Sequence, residues 1–292
     1  MLIYYQKTIY YQKTISMNIM TRFSNGWTIA TNSFKVLKEN RQLVIFPILS
    51  GVSIVVILAS FCVAFLGFSG WDPAQLSSPG KMMSYAILFF FYIVNYFVII
   101  FFNMALVHCT SLYFKGEEVT VQKGIEFSKS RIGSIIGWAV FAGIAGGILK
   151  IIQENVGTLG KIITGIIGVV WSIATFFVVP VIAYENLGPI AAFKRSASLM
   201  KAKWGESIGA GFSFGLIQLG AMAVIAVVGF AVAAINIIAG IVIAVLLLLL
   251  MGVIMSTVKT IFVSAIYHNI TGDPVELYNQ QFIDNLFETK RK

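Results

Sequence analysis

Charge is what this chain has least of. Of its 292 residues 11% are charged and 58% are hydrophobic, where a soluble domain carries about a quarter charged. A soluble fold of this length cannot hide so many apolar side chains, because its surface would have to be apolar too. Cysteine and histidine are scarce, two of each. That excludes a disulfide framework. A metal site would need the fold to gather His108, Cys109 and His268, and neighbours such as His108 and Cys109 point to different faces of a helix. Cys62, in the middle of an apolar run, reads as a packing residue. There is no Gly-x-Ser-x-Gly, no His-Glu-x-x-His and no phosphate-binding loop. The 12 acidic residues fall mostly in loops and flanks, and no carboxylate pair lies within an apolar run. No catalytic, cofactor-binding or metal-ligating residue is therefore assigned.

What the sequence does have is long uncharged runs. Residues 42–70, 82–114 and 207–258 carry no charge, the last over 52 residues. A helix crosses a bilayer with about 20 apolar residues, so the last run reads as two spans with a turn between Gly229 and Gly240. The whole chain reads as an all-α membrane protein with six spans, near 43–67, 84–110, 132–152, 162–184, 207–229 and 237–267. The runs are continuously apolar rather than alternating, which argues against a barrel. Helices satisfy their own backbone in lipid, and lone strands do not.

Basic residues set the expected orientation. The segment before the first span, the second and fourth loops and the C-terminal flank hold all the Lys and Arg except Lys81, Lys150 and Lys161. Lys and Arg accumulate on the cytoplasmic side, so both termini are expected inside a cell membrane. The formal net charge of +9 then reflects topology and attraction to anionic headgroups, with no nucleic-acid partner implied.

The chain also repeats. The hexapeptide YYQKTI occurs at 4–9 and again at 10–15. So perfect a duplication reads as translated upstream repeat DNA, with the natural start at Met17 or Met20 and residues 1–20 dispensable. Beyond it, residues 21–292 read as one domain of three hairpins, about 27–116, 117–188 and 189–272. Apolar stripes precede the odd-numbered spans: Trp27, Ala30, Phe34 and Leu37; Val121, Ile125, Ser128 and Ile132; Ile190, Phe193, Ala197, Met200 and Trp204. A fourth, Val275, Tyr278, Phe282 and Leu286, falls in an amphipathic helix expected at about 274–288. Each stripe is one face of a helix, and an apolar stripe backed by lysine suits the membrane interface. The first and third segments share Ser-x-x-x-x-Lys, at Ser33/Lys38 and Ser196/Lys201.

Tyr113, Tyr184 and Tyr267 close the even-numbered spans, followed by Gly116, Gly188 and Gly272 as helix stops. With Trp27 and Trp204 these tyrosines read as interfacial anchors. Pro180 should kink the fourth span. Small residues at four-residue spacing, such as Gly133/Gly137 and Gly143/Gly147, allow close helix packing within one bundle, in a homo-oligomer or against a membrane protein partner.

Residues 32–51, NSFKVLKENRQLVIFPILSG, and 171–205, WSIATFFVVPVIAYENLGPIAAFKRSASLMKAKWG, resemble an uncharacterised family of prokaryotic six-span membrane proteins; 135–142 and 265–272 fit it too. The plan is also similar to the membrane domain beside some glycerophosphodiester phosphodiesterases. The resemblance implies an integral membrane protein in a prokaryotic plasma membrane and carries no catalytic residues.

Three functional readings follow. The first is a non-enzymatic protein that organises lipid or a partner complex. The second is a channel or transporter for a neutral or amphipathic solute, with Asn95, Asn103 and Gln218 lining a polar cavity; these amides serve equally well as interhelical hydrogen-bonding groups. The third is a membrane enzyme. Coupled transporters place ionisable residues at membrane depth, and the mid-span polar residues here are neutral.

Overall fold

The computed structural model describes residues 19–68, 81–155 and 157–272. The YYQKTI repeat, the fourth apolar stripe and the C-terminal helix expected at 274–288 lie outside them. Among the described residues all regular structure is helical. The helices are α1 (Ile19–Glu39), a 3-10 turn (Arg41–Val44), α2 (Ile45–Phe68), α3 (Lys81–Phe114), α4 (Val121–Ser130), α5 (Ile132–Asn155), α6 (Gly157–Ala174), α7 (Val178–Glu185), α8 (Pro189–Ala233) and α9 (Ile237–Thr271).

Six stretches are long and apolar enough to cross a membrane: Arg41–Ala64, Phe89–Phe114, Ile132–Gln153, Gly160–Glu185, Phe214–Ala233 and Ile237–Thr271. Six such stretches were expected, and their ends differ from expectation by up to seven residues. Their outward faces carry exposed Val, Ile, Leu and Phe, as a lipid-facing surface requires. The third basic segment departs from expectation: it forms no separate helix but runs into the fifth span as the single helix α8. No proline lies between Ile190 and Ala233, and the glycines there, from Gly205 to Gly229, weaken a helix without ending it.

The chain forms two compact units, 40–201 and a second made of 1–39 with 202–292; the boundary falls within α8. In the first unit α3 is central, and α2, α4, α5 and α7 pack on it, while α6 packs on α5. The core holds Leu43, Phe46, Met104, Leu106, Ile135, Phe177 and Ile182. In the second unit α1 packs along α9.

Three local stops match their chemistry. Gly116 and Gly272 take positive φ, 71° and 99°, which glycine adopts without strain. At the corresponding place after Tyr184 the left-handed residue is Asn186, φ 49°, and not Gly188; asparagine tolerates this region through its short polar side chain. The turn in the last uncharged run falls at 234–236, inside the expected window. Asn236 caps α9 there, its side chain accepting from the Ala239 N–H at 3.0 Å. Gly240 lies so close to Ala233 that a Cβ would come within 2.6 Å of its backbone.

The fourth span is interrupted just before Pro180, where a kink was expected. α6 ends at Ala174 and α7 starts at Val178. Pro180 has no N–H for the carbonyl four residues back and its ring crowds that carbonyl, which accounts for the break at 175–177.

Candidate functional site at the lysine-bearing helix ends

Several side-chain hydrogen bonds tie down the corner where α3 turns into α4. Thr120 caps α4 by accepting from the Lys123 N–H at 3.2 Å. The loop ahead of it is tied down twice: Gln42 Nε2 donates to Val119 O at 2.6 Å, and Cys109 Sγ donates to Thr120 O at 3.3 Å. α4 then lies against α3 because Gly124 has no side chain. A Cβ there would sit 2.7 Å from Phe46 Cζ, 2.8 Å from Cys109 Sγ and 3.0 Å from Ala105 O. One turn further on, buried Ser128 donates to Phe101 O of α3 at 2.9 Å.

This contact sets the ring of Phe127 on His108, stacked at 3.9 Å between centroids and 2° from parallel. The Arg131 guanidinium carbon lies 5.6 Å from the same ring, within cation–π range. Tyr184 of α7 approaches it at 6.2 Å and donates from its hydroxyl to Val107 O at 3.2 Å. His108 Nδ1 and Arg131 Nε are both buried without a hydrogen-bond partner. Lys115 and Lys129 are exposed nearby in sequence, and Lys123 pairs with Glu118 at 3.8 Å.

A second serine holds the broken span. The Phe177 N–H, left over by the interruption, donates to Ser196 Oγ of α8 at 3.0 Å, and Ser196 is fully buried. Beside it Trp138, Phe141, Trp171 and Phe193 meet at centroid distances of 5.4 to 6.1 Å. At that spacing the rings fill the volume between them, so the cluster is packing and not an open cage. Arg195 Nε lies 3.0 Å from both oxygens of Glu185.

The three basic segments share one arrangement. Ala30, Ser33 and Leu37 of α1, Gly124 and Ser128 of α4, and Ala192, Ser196 and Leu199 of α8 are buried. Lys35, Lys38, Lys129, Lys194, Arg195 and Lys201 are exposed. The stripes legible in sequence lie partly off the buried faces: Trp27, Ile132 and Ile190 at their ends are exposed. The faces that meet protein carry small residues and serines together with Val36, Leu37, Leu199 and Met200.

The remaining sequence-predicted residues are placed as follows. Asn95 Nδ2 donates to Phe91 O of its own helix at 2.7 Å, and Asn103 is half-buried on the same helix. Gln218 lies in the second unit, where its Oε1 accepts from Lys259 Nζ at 3.3 Å. Tyr113 is half-buried and Trp27 is exposed, whereas Tyr267 is buried edge-on to His268. The side chain of Trp204 lies outside the described residues. His108 and Cys109 belong to the first unit and His268 to the second; among the described residues no three potential metal ligands gather. Cys62, expected to pack, is exposed on α2, and Cys109 is the buried cysteine.

Sequence reasoning counted Arg131 only as one basic loop residue and missed Phe127. Their signal was the spacing of four between them, which brings Phe127 in the last turn of α4 and Arg131 at its C-terminal cap to one side of that helix end. A family model described as "Family of unknown function (DUF6159)" matches residues 82–274, which include this corner and the serine-held break. The chain belongs to that family. No curated protein matches it.

Proposed function

We propose that this member of the family is a non-enzymatic, lipid-interacting protein that organises the inner face of a prokaryotic plasma membrane, alone or as an accessory to a membrane partner. In this reading the six spans form three hairpins with both termini in the cytoplasm. The three basic segments form a collar at the inner interface. The supporting observation is the shared arrangement of those segments: a serine and small residues buried, lysines and arginines outward, and Trp27, Ile132 and Ile190 exposed at their ends. Such helices fit an interface that is apolar on one side and anionic on the other.

The test is mass spectrometry of the protein purified gently from its own membrane, combined with flux measurements in proteoliposomes. The expected result is a lipid class enriched over the bulk membrane and no solute flux. Downhill movement of a neutral solute through the reconstituted protein would replace this reading with a channel or transporter.

A further inference from the structure

We infer that the His108–Phe127–Arg131 corner is a binding site for a phosphate-type anion, presented by the headgroup of an anionic phospholipid. The inference rests on the lipid-interacting reading above and gives it a place and a ligand chemistry.

The two nitrogens lacking partners carry the argument. His108 Nδ1 and Arg131 Nε are buried with no hydrogen-bond partner, although buried polar atoms in folded proteins are nearly always satisfied. Both groups are laid against one ring, Phe127, at 3.9 and 5.6 Å. An arginine Nε–H is always a donor, and Nδ1 of histidine is a donor in one tautomer and in the cation. The Arg131 donor has no protein acceptor, His108 Nδ1 beside the same ring can take the donor tautomer, and phosphate oxygens are the natural match for a guanidinium. The local carboxylates do not supply it. Glu118 faces Lys123, Glu126 accepts from Gln122 at 2.8 Å, and Glu117 is exposed.

Depth agrees with a headgroup. α3 has 34 residues and is therefore about 51 Å long, well over the roughly 30 Å hydrocarbon core. His108 lies six residues before its end at Phe114, about 9 Å along the axis. Arg131 immediately precedes α5. Both thus stand near the edge of the hydrocarbon, where lipid phosphates lie.

The experiment uses the full chain in nanodiscs of phosphatidylcholine doped with phosphatidylglycerol, released and weighed by native mass spectrometry. Wild type is expected to keep one phosphatidylglycerol that survives delipidation, and His108→Phe and Arg131→Gln should each weaken its retention roughly tenfold, as losing one charge-assisted hydrogen bond would. Arg131→Lys keeps the charge without Nε and should lose retention too, which covers a failure of Arg131→Gln to fold; Lys129→Gln should not. Titration with inorganic phosphate separates the sources. Displacement of the lipid only at high phosphate supports the headgroup, and tight phosphate binding with no preference for phosphatidylglycerol supports a free anion at the same site. Wild-type retention in all the corner variants overturns the site while leaving lipid interaction standing. Wild type that enriches no lipid and binds no phosphate overturns both.

Discussion

At the scale of single residues the strongest constraints fall on the smallest side chains. Gly124 is where α4 touches Phe46, Cys109 and the backbone of Ala105 at once. Gly124→Ala should destabilise the protein by about 1–3 kcal/mol, the usual cost of overpacking, visible as a lowered Tm in detergent. Ser196→Ala removes the buried hydroxyl that accepts from the Phe177 N–H, and should cost about 1–3 kcal/mol with faster amide exchange around 175–178. Ser130→Ala, whose hydroxyl is exposed and bonds only to Phe127 O in its own turn, should change stability by less than about 0.5 kcal/mol. The role of Ser196 was half legible. The Ser-x-x-x-x-Lys pattern marked the serine as repeated, but its partner is a backbone N–H freed by a helix break, and nothing in a linear pattern points to that. Cys62 and Cys109 were not legible at all, because burial of a mid-span residue depends on which helix face meets protein and which meets lipid.

At the scale of elements, periodicity and charge were enough for existence and failed at junctions. Six spans could be counted because uncharged runs have a physical length limit. The continuity of α8 could not be read, since Gly205 and Gly209 at the junction of the basic segment and the apolar span are as compatible with a helix end as with a continuous helix. The turn at 234–236 was legible from its flanking glycines, and Gly240 shows why. Gly240→Ala would drive a Cβ into the Ala233 backbone and should destabilise the second unit by about 1–3 kcal/mol, measured as increased protease sensitivity at the turn. Asn236→Ala, which removes the cap of α9, should cost about 1 kcal/mol in the same assay.

At the scale of the whole molecule, low charge content places the chain in a membrane, and the distribution of its cations gives the expected orientation. The serine-lined faces and the unsatisfied corner needed coordinates, because they arise from contacts between residues tens of positions apart, such as Ser128 with Phe101 and Gln42 with Val119. The functional reading depends on one geometric claim, that the basic segments share one side of the membrane. Cysteine accessibility labelling tests it most directly, in a background with Cys62 and Cys109 replaced. Thr120→Cys and Ala202→Cys should react only with reagent admitted to the inner face. Ile235→Cys, at the turn between the last two spans and 90% exposed, should react from outside, as should Ser77→Cys. Labelling of Thr120→Cys and Ala202→Cys from opposite sides would contradict the six-span, inner-collar account.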